Sequence, residues 1–226
     1  MKGVRRSIHF LTGVATLGRI AFDNARSFFP EHDWQLYVMT DKEVCRTYSS
    51  TAVPDILISF LNPYIVERDR LEMLGNNAVN VHPAPPAYPG RDPHHFSFYH
   101  GHYSAGATLH VMAATVDSGP ILDHVEVPVD PGLGVTAMIK LSEHLALGIL
   151  LKNLAALICG SAHPSGAQWT VANKRSRRDF IEMCQIDPSL PKEEVDRRIR
   201  SFYHPEYFNK IYCLIHGHKF TYQPDE

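Results

Sequence analysis

Cysteine is scarce in this chain of 226 residues: there are four, and no two form a C-x-x-C pair. Cys45, Cys159, Cys184 and Cys213 lie scattered. That argues against a disulfide framework or a cysteine-bound structural zinc, and it favours a reducing compartment. Charge of one sign is lacking too. Lys and Arg number 22 and Asp and Glu 24, a formal net charge of -2, so nothing global draws the protein to nucleic acid or an anionic membrane. No apolar run approaches the roughly 18 residues that span a bilayer. The start, MKGVRRSIHFLTGVATLGRI, is basic and then apolar, but it has no small-residue cleavage site and is interrupted by Arg19. It reads as the first strand and helix of a cytoplasmic protein, not as a signal peptide. Internal repeats and low-complexity tracts are absent as well.

What is present is a globular composition, 44% hydrophobic and 20% charged, long enough for one good-sized domain with a small appendage. SIHFLT (7–12), WQLYVMT (34–40) and PDILISFL (54–61) read as strands, the last a continuous apolar run suited to burial on both faces. Helical spacing recurs over 17–29 and 64–74, and AVNVH (78–82) is the next strand. DPHHFSFYHG reads as a short helix. GATLHVMAATV (106–116) and GPILDHVEVPV (119–129) read as two strands joined by a tight turn at Asp117-Ser118-Gly119. Residues 136–158 form a long helix, apolar round most of its circumference. Strands alternating with helices predict an α/β fold, a mostly parallel twisted sheet with helices on both faces. The stretch between Thr40 and Pro54 is short, so one strand–helix unit is expected to be missing or reduced.

Composition shifts after Cys159. GSAHPSGAQW is a loop, Lys174, Arg175, Arg177 and Arg178 make a basic run, 191–202 is helical, and 211–222 is a closing hairpin with Gly217 at its turn. This tail has too few apolar residues for its own core. The expected organisation is a main domain over 1–159 and a short C-terminal extension over 160–226 packed on it.

Chemistry concentrates in NAVNVHPAPPAYPGRDPHHF, residues 77–96. Asn80 and His82 are two apart at a strand end, so both side chains leave the same face. Pro83, Pro85, Pro86 and Pro89 then hold the chain in a stiff loop. In a parallel sheet ligands bind beyond the carboxyl ends of the strands, where these two residues lie. The 14 histidines include HGH at 100–102 and 216–218 and HH at 94–95, but none stands at metal-ligand spacing, so no metal is expected.

Taken in order, NVHPAPPAYPG, GATLHVM and VDSGPIL resemble the signature of the 10-formyltetrahydrofolate-dependent formyltransferases. That family's pattern runs N-x-H-P-S-L-L-P-x-x-x-G, then G-x-T-x-H, then D-x-G-x-I. The resemblance is densest from about Pro54 to Val129. It implies a Rossmann-type fold and a catalytic trio of Asn80, His82 and Asp117. Asn80 and His82 would donate to the oxyanion of a tetrahedral intermediate. Asp117 would pair with His82 in its charged form and take protons from the attacking amine. The resemblance also implies 10-formyltetrahydrofolate as formyl donor, enclosed by Phe60, Leu61 and Asn62 on one side and by Val116, Asp117 and Gly119 on the other. Tyr88 and His110 are expected at the acceptor site, with Thr108 and His110 at the G-x-T-x-H positions, and Arg91, which follows the proline loop beside the trio, is expected to meet the diphosphate of a nucleotide-linked acceptor.

The chain departs from the pattern where Ala84-Pro85-Pro86 replaces Ser-Leu-Leu-Pro in a loop one residue shorter. FLTGVATLG also lacks the glycine- and serine-rich phosphate loop of the glycinamide ribonucleotide enzymes, which argues against purine synthesis. The resemblance therefore points to formylation of a small amine, first an amino sugar carried on a nucleotide. EEVDRRIRSFYHPEYFNKIY is similar to the C-terminal segment of sugar N-formyltransferases. The alternatives are methionyl-tRNA formylation, disfavoured by the charge balance, formyltetrahydrofolate hydrolysis, and a non-catalytic folate-binding module. A membrane partner is not expected, and a homodimer is left open.

Overall fold

Strand β1 (Ser7–Thr12) sits between β2 (Asp33–Val38) and β3 (Ile56–Phe60) and runs parallel to both. β4 (Ala78–His82) adds in parallel to β3, then β5 (Ser104–Val111) and β6 (Ile121–Pro128) add in antiparallel fashion, giving the order β2-β1-β3-β4-β5-β6. The chain thus winds outward from β1 to β2 and returns on β1's other side to β3. That reversal opens a crevice at the carboxyl ends of the strands. These assignments come from a computed structural model, which describes residues 4–204 and 211–224.

Side-chain alternation explains the layers. Ile8 and Phe10 of β1, with Ile58 and Phe60 of β3, point into one apolar core shared with α1 (Ala15–Phe28) and α5 (Gly134–Cys159). Leu11 and Leu57 point the other way, onto a core shared with α2 (Lys42–Tyr48) and α3 (Arg68–Leu74). Every residue of β3 is buried, as a strand covered on both faces requires. α5 is long and apolar enough by composition to cross a bilayer, against the expectation of no such run. Here it lies along β5 and buries Leu150 and Leu154 completely, about 1.5–3 kcal/mol each.

Other differences have local causes. The stretch after Thr40 does hold a helix, α2, started by Asp41, whose carboxylate accepts from the Glu43 and Val44 amides. The helix expected from residue 64 begins only at Arg68. β5 stops at Val111, and 112–120 is a loop in place of the tight turn expected at 117–119. In the tail, α6 (Arg177–Cys184) opens on a capping box between Ser176 and Asp179, α7 (Lys192–Phe202) follows, and β7 (Gln185–Ile186), β8 (Tyr212–Ile215) and β9 (His218–Thr221) form a small second sheet. Phe180, Phe202 and Ile211 bury against Tyr88 and against Phe96 of α4 (Pro93–Tyr99). Part of the tail motif, residues 205–210, lies outside the described residues.

Candidate active site

A cleft of about 560 Å³ opens at the carboxyl ends of β1, β3 and β4. Gly13, Leu61, Asn80 and His82 reach it from the strand ends, Asp117 from the 112–120 loop, and Lys174 and Arg175 from the tail. Gly13 has to be glycine, since a Cβ there would lie 2.3 Å from Pro63 Cδ and 2.7 Å from the Leu61 carbonyl oxygen. Four non-glycine residues among those described have a left-handed backbone, and three of them, Leu61, Asp92 and Asp117, line this cleft. Such strain gathers where function holds it in place.

Asn80, His82 and Asp117 converge as expected, and His110 joins them. Asn80 stands directly opposite His110 in the β4–β5 register, and its Nδ2 lies 3.1 Å from His110 Nε2. Asp117 sits between the two imidazoles: Oδ2 is 3.4 Å from His82 Nδ1 and Oδ1 is 3.3 Å from His110 Nε2. The Gly90 amide donates to Oδ2 at 2.8 Å. Burial alone would push the Asp117 carboxyl up. The charges and hydrogen bonds of His82, His110 and Gly90 outweigh that and hold it well below the usual carboxylate range.

The remote nitrogens locate two protons. His82 Nε2 lies 2.9 Å from the Tyr88 carbonyl oxygen and His110 Nδ1 lies 2.9 Å from that of Val111. A carbonyl only accepts, so each of these nitrogens carries a hydrogen. The other ring nitrogen of each, His82 Nδ1 and His110 Nε2, faces the Asp117 carboxylate. The His82 Nε2–H is engaged internally by the Tyr88 carbonyl, while Asn80 Nδ2 lies against His110 Nε2, the same nitrogen that faces Asp117.

The proline loop is held from two sides. Thr108, the other residue of the β5 pair, donates its hydroxyl to the Ala84 carbonyl at 2.7 Å, which makes it a tether and not a site residue. Gly106 lets the loop approach, because a Cβ there would meet Pro85 Cγ at 2.8 Å. From the tail, the Thr170 amide donates to the Pro86 carbonyl at 3.0 Å, Asn173 Nδ2 to that of Ala87 at 2.9 Å, and the Arg91 amide to that of Arg175 at 2.8 Å.

The basic residues divide. Arg91, Lys174 and Arg175 line the cleft, with Lys174 Nζ donating to the Val116 carbonyl. Arg178 points outward and pairs with Glu182 at 2.8 Å. Two more carboxyls line the cleft, Asp92 and Glu143, each pushed up by burial. Leu61, Asn62 and Val116 line it as expected. Asn62 uses its side-chain oxygen to accept from the Tyr64 amide at 3.0 Å. Phe60 does not reach the cleft but is fully buried in the core. The Gly119 carbonyl accepts from Trp169 Nε1 at 2.9 Å. The Tyr88 ring turns away, toward His100 and His102. A smaller recess of about 70 Å³ lies behind Asn80, His110 and Asp117, floored by Ser59 and Met112. No group of three or more His, Cys, Asp or Glu stands together to hold a metal among the described residues. Sequence reasoning missed Trp169, whose indole packs on both site histidines, and the carboxyls of Asp92 and Glu143.

Residues 17–154 match the formyl transferase family model. A methionyl-tRNA formyltransferase of Roseiflexus castenholzii is 30% identical over 153 residues, 66% of this chain and 48% of that protein. The chain thus spans about half the length of the curated relatives it matches. A 4-N formyltransferase from Francisella tularensis superposes with a TM-score of 0.77 at 19% identity, covering 99% of this chain and 98% of the other. WlaRD, a sugar 3N-formyl transferase solved in the presence of dTDP and 5-N-formyl-THF, gives a TM-score of 0.70 at 17% identity over 95% and 84%. These two likenesses establish the fold.

Proposed function

The chain belongs to the formyl transferase family, and on that premise we propose that it moves a formyl group from 10-formyltetrahydrofolate to a primary amine. The acceptor in this reading is an amino sugar carried on a nucleotide. The observation that carries the proposal is the meeting of Asn80, His82 and Asp117 in the wall of the cleft. The solved sugar formyltransferase holding dTDP and a formyl-folate supports the choice of donor and acceptor class.

The acceptor nitrogen forms a bond to the formyl carbon while the carbonyl electron pair moves onto oxygen. Asn80 Nδ2–H and His82 Nε2–H turn from His110 and Tyr88 to that oxyanion. The pair returns, the bond to the folate nitrogen breaks, and that nitrogen gains a proton as the amine loses one. Asp117, held well below the usual carboxylate range, is a weak proton sink. Its work is to orient and charge-balance the two imidazoles, while the proton passes from the amine to the departing folate nitrogen. The backbone of 61–62 and 116–117 offers the donors and acceptors a planar pterin edge requires, with the recess at Ser59 and Met112 beside it.

Arg91, Lys174 and Arg175 supply the positive wall for an acceptor diphosphate. A net charge of -2 gives no electrostatic footprint for tRNA, and the four unpaired cysteines suit a reducing, cytoplasmic setting. The test is tetrahydrofolate release with a panel of nucleotide-linked amino sugars. Release that needs the amine and yields its formamide supports the reading. Release at the same rate without any amine makes the protein a hydrolase.

A further inference from the structure

Trp169 has no part in the chemistry above, yet its indole touches both imidazoles of the site. The ring centres lie 5.0 Å apart at 86° for His110 and 5.9 Å apart at 70° for His82, both edge-to-face. No other aromatic ring packs on either imidazole among the described residues. Nε1–H donates to the Gly119 carbonyl at 2.9 Å, two residues beyond Asp117. The segment is pinned on both sides, by the Ser165 amide on the Ile121 carbonyl at 2.8 Å and by the Thr170 amide on that of Pro86 at 3.0 Å.

We propose that Trp169 is a positioning residue that sets the His82 and His110 rings against Asp117, so that the C-terminal extension is part of the site. The contacts from Asp117 to the two rings, 3.4 and 3.3 Å, are long for charge-assisted hydrogen bonds, which run near 2.7–2.9 Å. In-plane bonds of 2.9 Å to the Tyr88 and Val111 carbonyls hold the remote nitrogens, and the ring faces are held by packing alone. One indole meeting both rings edge-to-face supplies that packing. Through Gly119 it also fixes the loop that carries Asp117, and through Thr170 it is tied to the loop that follows His82. The polar groups facing the two rings are Asp117, the Asn80 amide and the carbonyls of Tyr88 and Val111, with His94 close enough to His82 to feel its charge.

The test has two arms, and only the kinetic arm rests on the formyl-transfer reading. The chain has two tryptophans, and Trp34 sits in the core against Phe22. Subtracting the emission of Trp169→Phe from that of the unmodified protein therefore isolates Trp169. An imidazolium in contact with an indole quenches it, so this difference emission should fall as the site histidines take up protons. The step should shrink in His110→Asn, which leaves only the more distant His82 ring, and disappear when His82→Asn is added. Trp169→Ala should lower kcat at least about tenfold while the acceptor KM stays within about threefold, and Trp169→Phe, which keeps a ring but loses the N–H, should fall between. A Trp169 emission indifferent to pH while the protein stays folded would overturn the proposal. So would a folded Trp169→Ala enzyme with unchanged kcat.

Discussion

Thr108 donates its hydroxyl to the Ala84 carbonyl at 2.7 Å from a fully buried position, so strand β5 holds the proline loop that follows His82. Thr108→Val keeps the shape and strands that carbonyl, at a cost of about 1–3 kcal/mol. Turnover should drop about tenfold through misplacement of the loop, whereas Thr108→Ser should recover most of it. Equal activity in Thr108→Val and the unmodified protein, measured by initial rates, would show that the tether has no bearing on the site.

Asp117→Asn keeps the volume and removes the charge between two imidazoles. Turnover should fall at least about 10², and stability at neutral pH by roughly 3 kcal/mol, the usual result of breaking a buried pair. The sign with pH follows from the depressed carboxyl. Its stabilisation is present above the unfolded carboxylate value, about 3.9, and is lost as pH falls through the folded one. Denaturation curves of the two proteins should therefore converge in acid. A gap that stayed constant from neutral pH to pH 3 would contradict the charge pairing.

Arg91, beside Lys174 and Arg175 in the cleft, is expected to read an acceptor phosphate. Arg91→Ala should raise the KM for a nucleotide-linked acceptor about tenfold and leave that for the donor unchanged. Part of the difference should vanish at high salt, since exposed charges are screened over roughly 10 Å at 0.1 M. Unaltered acceptor kinetics would remove the phosphate assignment and leave formyl transfer standing.

Three histidines outside the reaction set an acid limit on the fold. Burial lowers His9 and His95 to about 4 and His94 to about 3. Above the unfolded value, about 6.5, they are neutral in both states and contribute nothing. Between that value and about 4 the unfolded chain binds protons that the folded one refuses, so stability falls with falling pH. The Tm at pH 5 should be at least about 5 °C below that at pH 7.5, a difference that thermal melts would show directly. A Tm that rises in acid would mean that these rings are charged in the fold.

The parallel half of the sheet was legible because β1, β3 and β4 are apolar runs bounded by loops, and α5 because its apolar stretch is long. The meeting of Asn80, His82 and Asp117 was legible through spacing at a strand end and through motif order. α2 was not, since its 7 residues carry a single fully buried side chain, Tyr48. α6 hid in a basic run whose cap, Ser176 with Asp179, sits among arginines. Residues 112–116 read as strand because Ala113, Ala114 and Val116 are apolar, although Val116 is exposed. Trp169 gave no signal at all, because its contacts with His82 and His110 depend on how the tail folds back.

The most direct measurement is single-turnover formyl transfer to a nucleotide-linked amino sugar by the unmodified protein and by His82→Ala, with donor binding followed in parallel. His82→Ala should still bind the folate and fold cooperatively, but transfer at least about 10² more slowly, because a donor to the oxyanion is lost. Transfer at the unmodified rate by a folded His82→Ala protein would contradict a reaction run through Asn80, His82 and Asp117.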